Sequence, residues 1–186
     1  MSETKFDIEA NRKSVKYSKK ELVLRILWGL IKPLFKYSPR TFFSWRIFLL
    51  RLFGARIGSN VHIYNSAYIY LPWKLTIGDF SAIGEWALIY NLGQVNIGRH
   101  VILSQRTHLC AGTHDYTERT LPLKTSPISI EDQAWICADA FIGPYVIVGE
   151  GAVVGARAVA TKNIEPWTVV AGNPAKFIKR RVIKVQ

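Results

Sequence analysis

The chain predicts an all-β solenoid: a parallel β-helix of about five coils, preceded by a helical segment and followed by a short C-terminal helix. Three observations lead there. Aliphatic residues recur every six positions from Ile57 onward, these hexads group in threes, and residues 1–56 carry the apolar spacing of helices instead.

The hexads run Ile57, Ile63, Ile69; Ile77, Ile83, Ile89; Ile97, Leu103, Leu109; Ile130, Ile136, Ile142; then Val148 and Val154. A period of six is neither the 3.6 of a helix nor the 2 of an ordinary strand. It suits short flat segments joined by tight turns, stacked about 4.8 Å apart around a continuous aliphatic core. Four positions after most of these aliphatics stands a small or short residue fit for a crowded corner, such as Ala67, Ser81, Ala87, Ala134, Ala140, Ala152 and Ala158. Glycine often follows the aliphatic directly, as in Ile77-Gly78 and Ile83-Gly84, where its freedom at positive φ is expected to serve the turns. The segments LTIG, VNIG and ISIE each bring two extra residues before a new triplet, so coils begin at Ile57, Ile77, Ile97, Ile130 and Val148. Residues 115–127, DYTERTLPLKTSP, interrupt the pattern, which then resumes. A loop pushed out of a solenoid costs little stability and is free to serve function.

The domain organisation follows. Residues 1–20 read as a basic tail and 21–56 as an amphipathic helical cap. The β-helix spans 57–175, with the protruding loop at 115–127. Residues 176–186 read as a basic C-terminal helix or tail. In KKELVLRILWGLIKPLF the apolar positions Val23, Ile26, Leu27, Leu30, Ile31 and Leu34 have helical spacing, with Pro33 as the expected stop. Ser38-Pro39 is the expected N-cap and first turn of a second helix, and Gly54 its stop. Arg25, Lys32, Arg46 and Arg51 interrupt both runs, so neither suits a membrane span. Capping of the first coil and peripheral contact with anionic lipid are both open readings.

Of the 186 residues 49% are hydrophobic and 20% charged, as expected of one folded domain rather than a disordered chain. The net charge of +12 is unevenly placed. Residues 1–56 hold 13 Lys/Arg against 4 acids, 57–175 hold 7 against 9, and 176–186 hold 5 against none. A nucleic-acid reader would carry its basic residues on the folded surface, so no nucleic-acid partner is expected. Two cysteines, Cys110 and Cys137, neither build a disulfide framework nor have metal spacing, and no metal is expected. The charged N-terminus does not read as a signal peptide, which makes a cytoplasmic setting the expectation.

The hexads, together with the ending WTVVAGNPAKFIKRR, closely resemble the hexapeptide-repeat acyltransferases. The match covers about residues 45–181. Within that superfamily RLFGARIG, SQRTHLCAGTHDY and WICADAFIGPYVIVGEGAVVGARAV look most like the colanic acid biosynthesis acetyltransferases, sugar O-acetyltransferases of exopolysaccharide assembly. The resemblance implies a left-handed β-helix, where general crossover rules would predict the opposite hand. It also implies a homotrimer with active sites between subunits, and acetyl-CoA as donor.

Acetyl transfer to a hydroxyl needs a base, stabilisation of the tetrahedral oxyanion and alignment of two substrates. Histidine titrates near neutrality and suits the first role. Taken alone, a histidine at a turn is more often structural. The resemblance carries the catalytic role to His114, which stands at the end of a coil just before the loop. His108, one hexad earlier, is expected to sit at another corner, and His62 and His100 at the surface. Asp115 is open between orienting the imidazole, touching the acceptor and turning the chain. The family's acceptor-binding positions fall on Trp86 and Asn91, neither of which keeps the family residue, with Glu85 a lesser acceptor contact. For the donor, the resemblance implies a groove lined by Trp135, Ala138 and Ala156. Thr161, Lys162, Asn173, Lys176 and Arg180 are then expected at the nucleotide end, where basic groups suit phosphates.

Rival readings are an acyltransferase with another acceptor (an amino sugar, serine or an antibiotic), a γ-carbonic-anhydrase-like metal enzyme and a non-catalytic scaffold. The zinc reading is disfavoured because His108 and His114 are spaced H-x5-H where that class has H-x4-H, and zinc demands near-tetrahedral geometry.

Overall fold

The computed structural model describes residues 5–184; the outermost tail residues, 1–4 and 185–186, lie outside the described residues. From Arg56 onward short strands alternate with turns, and each strand pairs in parallel with its counterpart one coil later. The result is a left-handed β-helix with three flat faces. The first face stacks Arg56–Ile57, Leu75–Ile77, Val95–Ile97, Ile128–Ile130 and Ile147–Val148. The second stacks His62–Ile63, Ala82–Ile83, Ile102–Leu103, Trp135–Ile136 and Val153–Val154, and continues through Thr168–Ala171. The third stacks Tyr68–Ile69, Leu88–Tyr90, His108–Cys110, Phe141–Ile142 and Val159–Ala160. Five coils are complete, and Ile164, bridged to Val148, opens a partial sixth.

All fourteen hexad aliphatics are buried in one core, and register is tight because Ile57 pairs with Ile77 and Ile77 with Ile97. The glycines after them act otherwise than the sequence suggested. A Cβ on Gly78, Gly84 or Gly149 would lie 2.7, 2.7 and 2.6 Å from backbone atoms of the next coil, so these positions need absence of bulk rather than positive φ. The left-handed turn conformation falls instead on Phe80, Trp86, His100, Arg106, Asp139 and Arg157, with φ between 55° and 60°. That conformation costs a side-chain-bearing residue roughly 1–2 kcal/mol. The N–H groups of Phe80, His100, Arg106, Asp139 and Arg157 each donate to a carbonyl of the preceding coil, which offsets it.

Among the described residues three helices precede the coils: α1 (Ile8–Lys13), α2 (Lys19–Lys36) and α3 (Phe43–Leu52). The basic N-terminal tail read from the sequence therefore contains a helix. Ser18 caps α2 by accepting from the Glu21 N–H at 3.2 Å, and Trp28 and Phe35 bury its inner side against the third face. Pro33 does not stop α2, which continues to Lys36. A proline this close to the C-terminus forfeits only the bond to the Gly29 carbonyl, and Gly29 is exposed to water. Nor does Ser38 cap α3. Its hydroxyl bonds the Phe35 carbonyl at 2.7 Å and receives Arg46, and α3 starts at Phe43. Gly54, at φ +89°, does end that helix region.

Arg46 closes the first coil from α3. Fully buried, it donates to the carbonyls of Ile63, Pro39 and Arg40 and to the Ser38 hydroxyl at 2.6–2.8 Å, and burial lowers its pKa. At the far end the expected C-terminal helix is a strand. Lys176–Arg180 pairs antiparallel with Thr168–Ala171, because the edge of the last coil offers unpaired backbone groups that an extended segment satisfies and a helix could not.

Substitution at two glycines should separate these roles. Gly84→Ala forces a Cβ into the backbone of coil three and should destabilise by about 1–3 kcal/mol. Gly29→Ala meets nothing within 4 Å on an exposed helical turn and should stabilise by up to about 1 kcal/mol. Urea unfolding midpoints of the two variants check both signs.

Candidate active site

The interruption is a β-hairpin rather than an open loop. Its arms are Gly112–His114 and Leu123–Thr125, antiparallel with His114 opposite Leu123, so it begins three residues before the boundary read from the sequence. The hairpin leaves the corner between the third face and the first face of the next coil. His114 is exposed there, and its Nδ1 lies 2.7 Å from the Leu121 carbonyl oxygen. A carbonyl can only accept, so Nδ1 carries the proton and Nε2 is left with its lone pair outward. Leu121 itself has φ +44°, an uncommon value for a branched side chain.

Asp115 does not orient the imidazole. Its carboxylate accepts from the Thr117 N–H at 3.0 Å and the Thr117 hydroxyl at 2.5 Å, and it pairs with the Lys124 ammonium across the hairpin. Lys124 and then Thr117 hold its pKa down at about 2. Of the three roles open for Asp115, its contacts fit the turn, and the group beside the imidazole is the Leu121 carbonyl. No side-chain motif could have signalled it, because the acceptor is backbone.

Asn91 is a second correction. It is wholly buried; its Oδ1 accepts from the Leu71 N–H at 2.9 Å and its Nδ2 donates to the carbonyls of Leu71 and Lys74 at 2.6 and 3.1 Å. The two extra residues of that corner leave backbone groups without ladder partners, and Asn91 satisfies them. A sugar cannot reach it.

The remaining candidates gather at a different corner. Strand register places Glu85, Gln105, Ala138 and Ala156 in one column, and Trp86, Arg106, Asp139 and Arg157 in the next, at the turn between the second and third faces. Ala138 and Ala156 are thus stacked one coil apart, with Trp135 nearby on the second face donating its indole N–H to Ser104 at 3.0 Å. Trp86 is 62% exposed and lines a cleft of 350 Å³ with Trp28, Lys32, Phe35 and Tyr68. Glu85 is held by Arg40. His114 and this column lie at opposite ends of the third face, so one chain does not bring them together.

Thr161, Lys162 and Lys176 do meet, lining a second 350 Å³ cleft beyond the last coil with Glu165 on its rim. Asn173 is exposed in the turn before the final strand, and Arg180 bends away to the Pro166 carbonyl at 3.1 Å. His108 is half-buried, edge-on to Phe141 with centroids 5.1 Å apart, and desolvation lowers its pKa. His62 stacks on Phe43 and His100 on Phe80, both at the surface. Among the described residues no group of three or more His, Cys, Asp or Glu is placed to hold a metal ion.

No family model matches the chain. It is 42% identical over 159 residues to WcaF of Escherichia coli (strain K12), an acetyltransferase named for colanic acid biosynthesis, across 86% of this chain and 87% of that protein. Its fold matches a hexapeptide-repeat acetyltransferase from Vibrio cholerae with TM-score 0.81 and 26% identity, covering 92% of this chain and 98% of that one. The same Vibrio protein complexed with acetyl coenzyme A gives TM-score 0.83 at 24% identity, covering 91% and 93%.

The hairpin's ion pair has a pH signature. Because the Asp115 pKa is depressed from its ordinary value to about 2, its stabilisation is complete above roughly pH 4 and is lost as pH falls toward 2. The Thr117 amide should therefore be protected, relative to its intrinsic exchange rate, at pH 5, lose that protection as pH falls through about 2, and lack it at both in Asp115→Ala. Hydrogen exchange read by NMR checks this.

Proposed function

This chain belongs to the hexapeptide-repeat acetyltransferases, and from that premise we propose that it carries an acetyl group from acetyl-CoA to a sugar hydroxyl in surface or exopolysaccharide biosynthesis, with His114 as general base. The observation that carries this reading is the Nδ1 contact of the exposed His114 to the Leu121 carbonyl at 2.7 Å, which leaves the lone pair of the neutral ring on Nε2. The imidazole takes the hydroxyl proton as the sugar oxygen attacks the thioester carbon. The tetrahedral intermediate then collapses, the C–S bond breaks, and the imidazolium returns its proton to the departing thiolate.

The donor's place is the column of Ala138 and Ala156, whose small side chains leave room for an extended arm along the stack. The cleft of Thr161, Lys162 and Lys176 offers two ammonium groups to phosphates. Trp86 and Glu85, at the same corner as the alanine column, are the acceptor contacts that remain. Base and donor column stand at opposite ends of one face, so a complete site needs a second copy of the chain. A homotrimer, pairing the His114 corner of one protomer with the alanine column of the next, meets that need.

Among the described residues no helix is long and apolar enough to cross a membrane. Yet α2 presents a second apolar side, Val23, Ile26, Leu27, Leu30 and Leu34, all at least 46% exposed, beside exposed Trp45, Phe48 and Leu52 of α3. With 13 Lys/Arg against 4 acids in residues 1–56, this surface suits peripheral contact with an anionic leaflet on the cytoplasmic side.

Two measurements test the proposal. His114→Ala should keep the trimer, by light scattering, and lose about 10²–10⁴-fold in turnover; near-normal turnover removes His114 from the mechanism. The wild-type chain should float with anionic vesicles at low salt and less at moderate salt, and Ile26→Glu/Leu30→Glu should stay in the pellet. No flotation at either salt removes the membrane surface.

A further inference from the structure

Leu121 receives a second donor. The Asn11 side-chain amide, on α1, donates from Nδ2 to the Leu121 carbonyl at 2.8 Å and to the Thr120 carbonyl at 2.5 Å. The orientation of that amide is settled by its other end, where Oδ1 accepts from the Lys16 ammonium at 2.6 Å. An oxygen turned toward two carbonyls would find no proton to share, so Nδ2 faces the hairpin. One carbonyl oxygen thus joins a residue of the N-terminal helix to His114, more than a hundred positions away in sequence.

The rest of the segment is anchored to the same turn. The Asp7 N–H donates to the Arg119 carbonyl at 2.8 Å, and Arg119 Nε donates to the Lys5 carbonyl at 2.9 Å. Helix α1 contributes no buried residue, so apolar packing does not account for its place. Polar contacts hold it there, and they converge on residues 119–121. At φ +44° Leu121 lies outside the ordinary basins for its residue type, and such a conformation persists only where surroundings over-determine it. Its own N–H is held by the Glu118 carbonyl at 3.0 Å, and the next residue's carbonyl takes the Asp115 N–H at 3.0 Å. Asn11 supplies the restraint on the carbonyl itself.

We infer that Asn11 is a positioning residue: by fixing the Leu121 carbonyl it fixes the ring orientation and the Nδ1–H tautomer of His114, making residues 5–16 a working part of the transferase site. This rests on His114 as the base. Without Asn11 the carbonyl is free to swing toward water, and the neutral imidazole then populates the Nε2–H tautomer, which has no lone pair at Nε2 to take the acceptor's proton. The loss falls on the chemical step and leaves the donor cleft beyond the last coil untouched.

The test uses the full-length protein with Asn11→Ala and Asn11→Asp. The first removes the donor without adding charge, and the second keeps the shape but sets a carboxylate oxygen against the two carbonyls, so agreement between them isolates the lost donor. Both variants should keep the β-helix, by far-UV circular dichroism, and the KM for acetyl-CoA within twofold, and lose roughly tenfold in kcat, the worth of one hydrogen bond. Independently, ¹⁵N–¹H correlation spectra of the histidine rings at alkaline pH should show His114 as the Nδ1–H tautomer in wild type and a tautomer mixture in both variants. Wild-type kcat and an unchanged tautomer in Asn11→Asp would overturn the inference. The tautomer measurement stands even if His114→Ala remains active, so failure of the clamp and failure of the base assignment are distinguishable.

Discussion

Backbone hydrogen bonds between successive coils govern this molecule. Gly78 N–H donates to the Ile97 carbonyl, Ala82 to Val101 and Leu88 to Thr107, and the same pairing of each coil with the next repeats around the prism. A ladder of this kind tolerates no drift in coil perimeter, since every face must arrive in register with the one below. The aliphatic period follows from it, as does the bulk limit at Gly84, where the next backbone stands 2.7 Å from any added Cβ. So do the left-handed turns at Trp86 and Arg106, which close each corner in few residues. Where a coil must be longer, a buried polar group makes up the shortfall, and Asn91 serves that purpose at Leu71 and Lys74.

An open ladder leaves unpaired groups at both ends, and the chain covers each differently. At the start, α3 lays Leu49 and Leu50 over the first coil and sends Arg46 inward to the Ile63 carbonyl. Among the described residues no carboxylate partners this guanidinium; its donors are spent on carbonyls and one hydroxyl, an arrangement that seals backbone acceptors without a second buried charge. At the end, Lys176–Arg180 folds back as an antiparallel edge strand. Caps of such different kinds leave the middle of the prism uniform, and the single long excursion from it carries His114.

The repeat was legible because burial and sequence period are the same fact in a solenoid: each inward position must be aliphatic, so Ile63, Ile83, Leu103, Ile136 and Val154 name the second face before any coordinates. The place of His114 was legible for a related reason, as the residue at which the period breaks, while its proposed role rests on resemblance. Asn91 misled, and Asp115 stayed open between three roles, because a ligand contact and a structural hydrogen bond use the same side chains. Only the partners distinguish them: Leu71 and Lys74 for the one, Thr117 and Lys124 for the other. Pro33 and Ser38 misled more simply. Local helix signals yielded to the packing of Trp28, Phe35 and Arg46 against the first coil.

By itself, then, the sequence determined the three-faced solenoid, the number of coils and the place of the excursion, since each is a consequence of periodicity along one dimension; the hand of the helix and the choice of His114 came from resemblance. Tertiary structure alone decided what that histidine touches. Its proton is directed by a backbone carbonyl at Leu121, and that carbonyl is reached by Asn11 from the other end of the chain. Neither contact leaves a trace in composition or spacing, because every residue carries a carbonyl and only the folded path determines which one faces the ring.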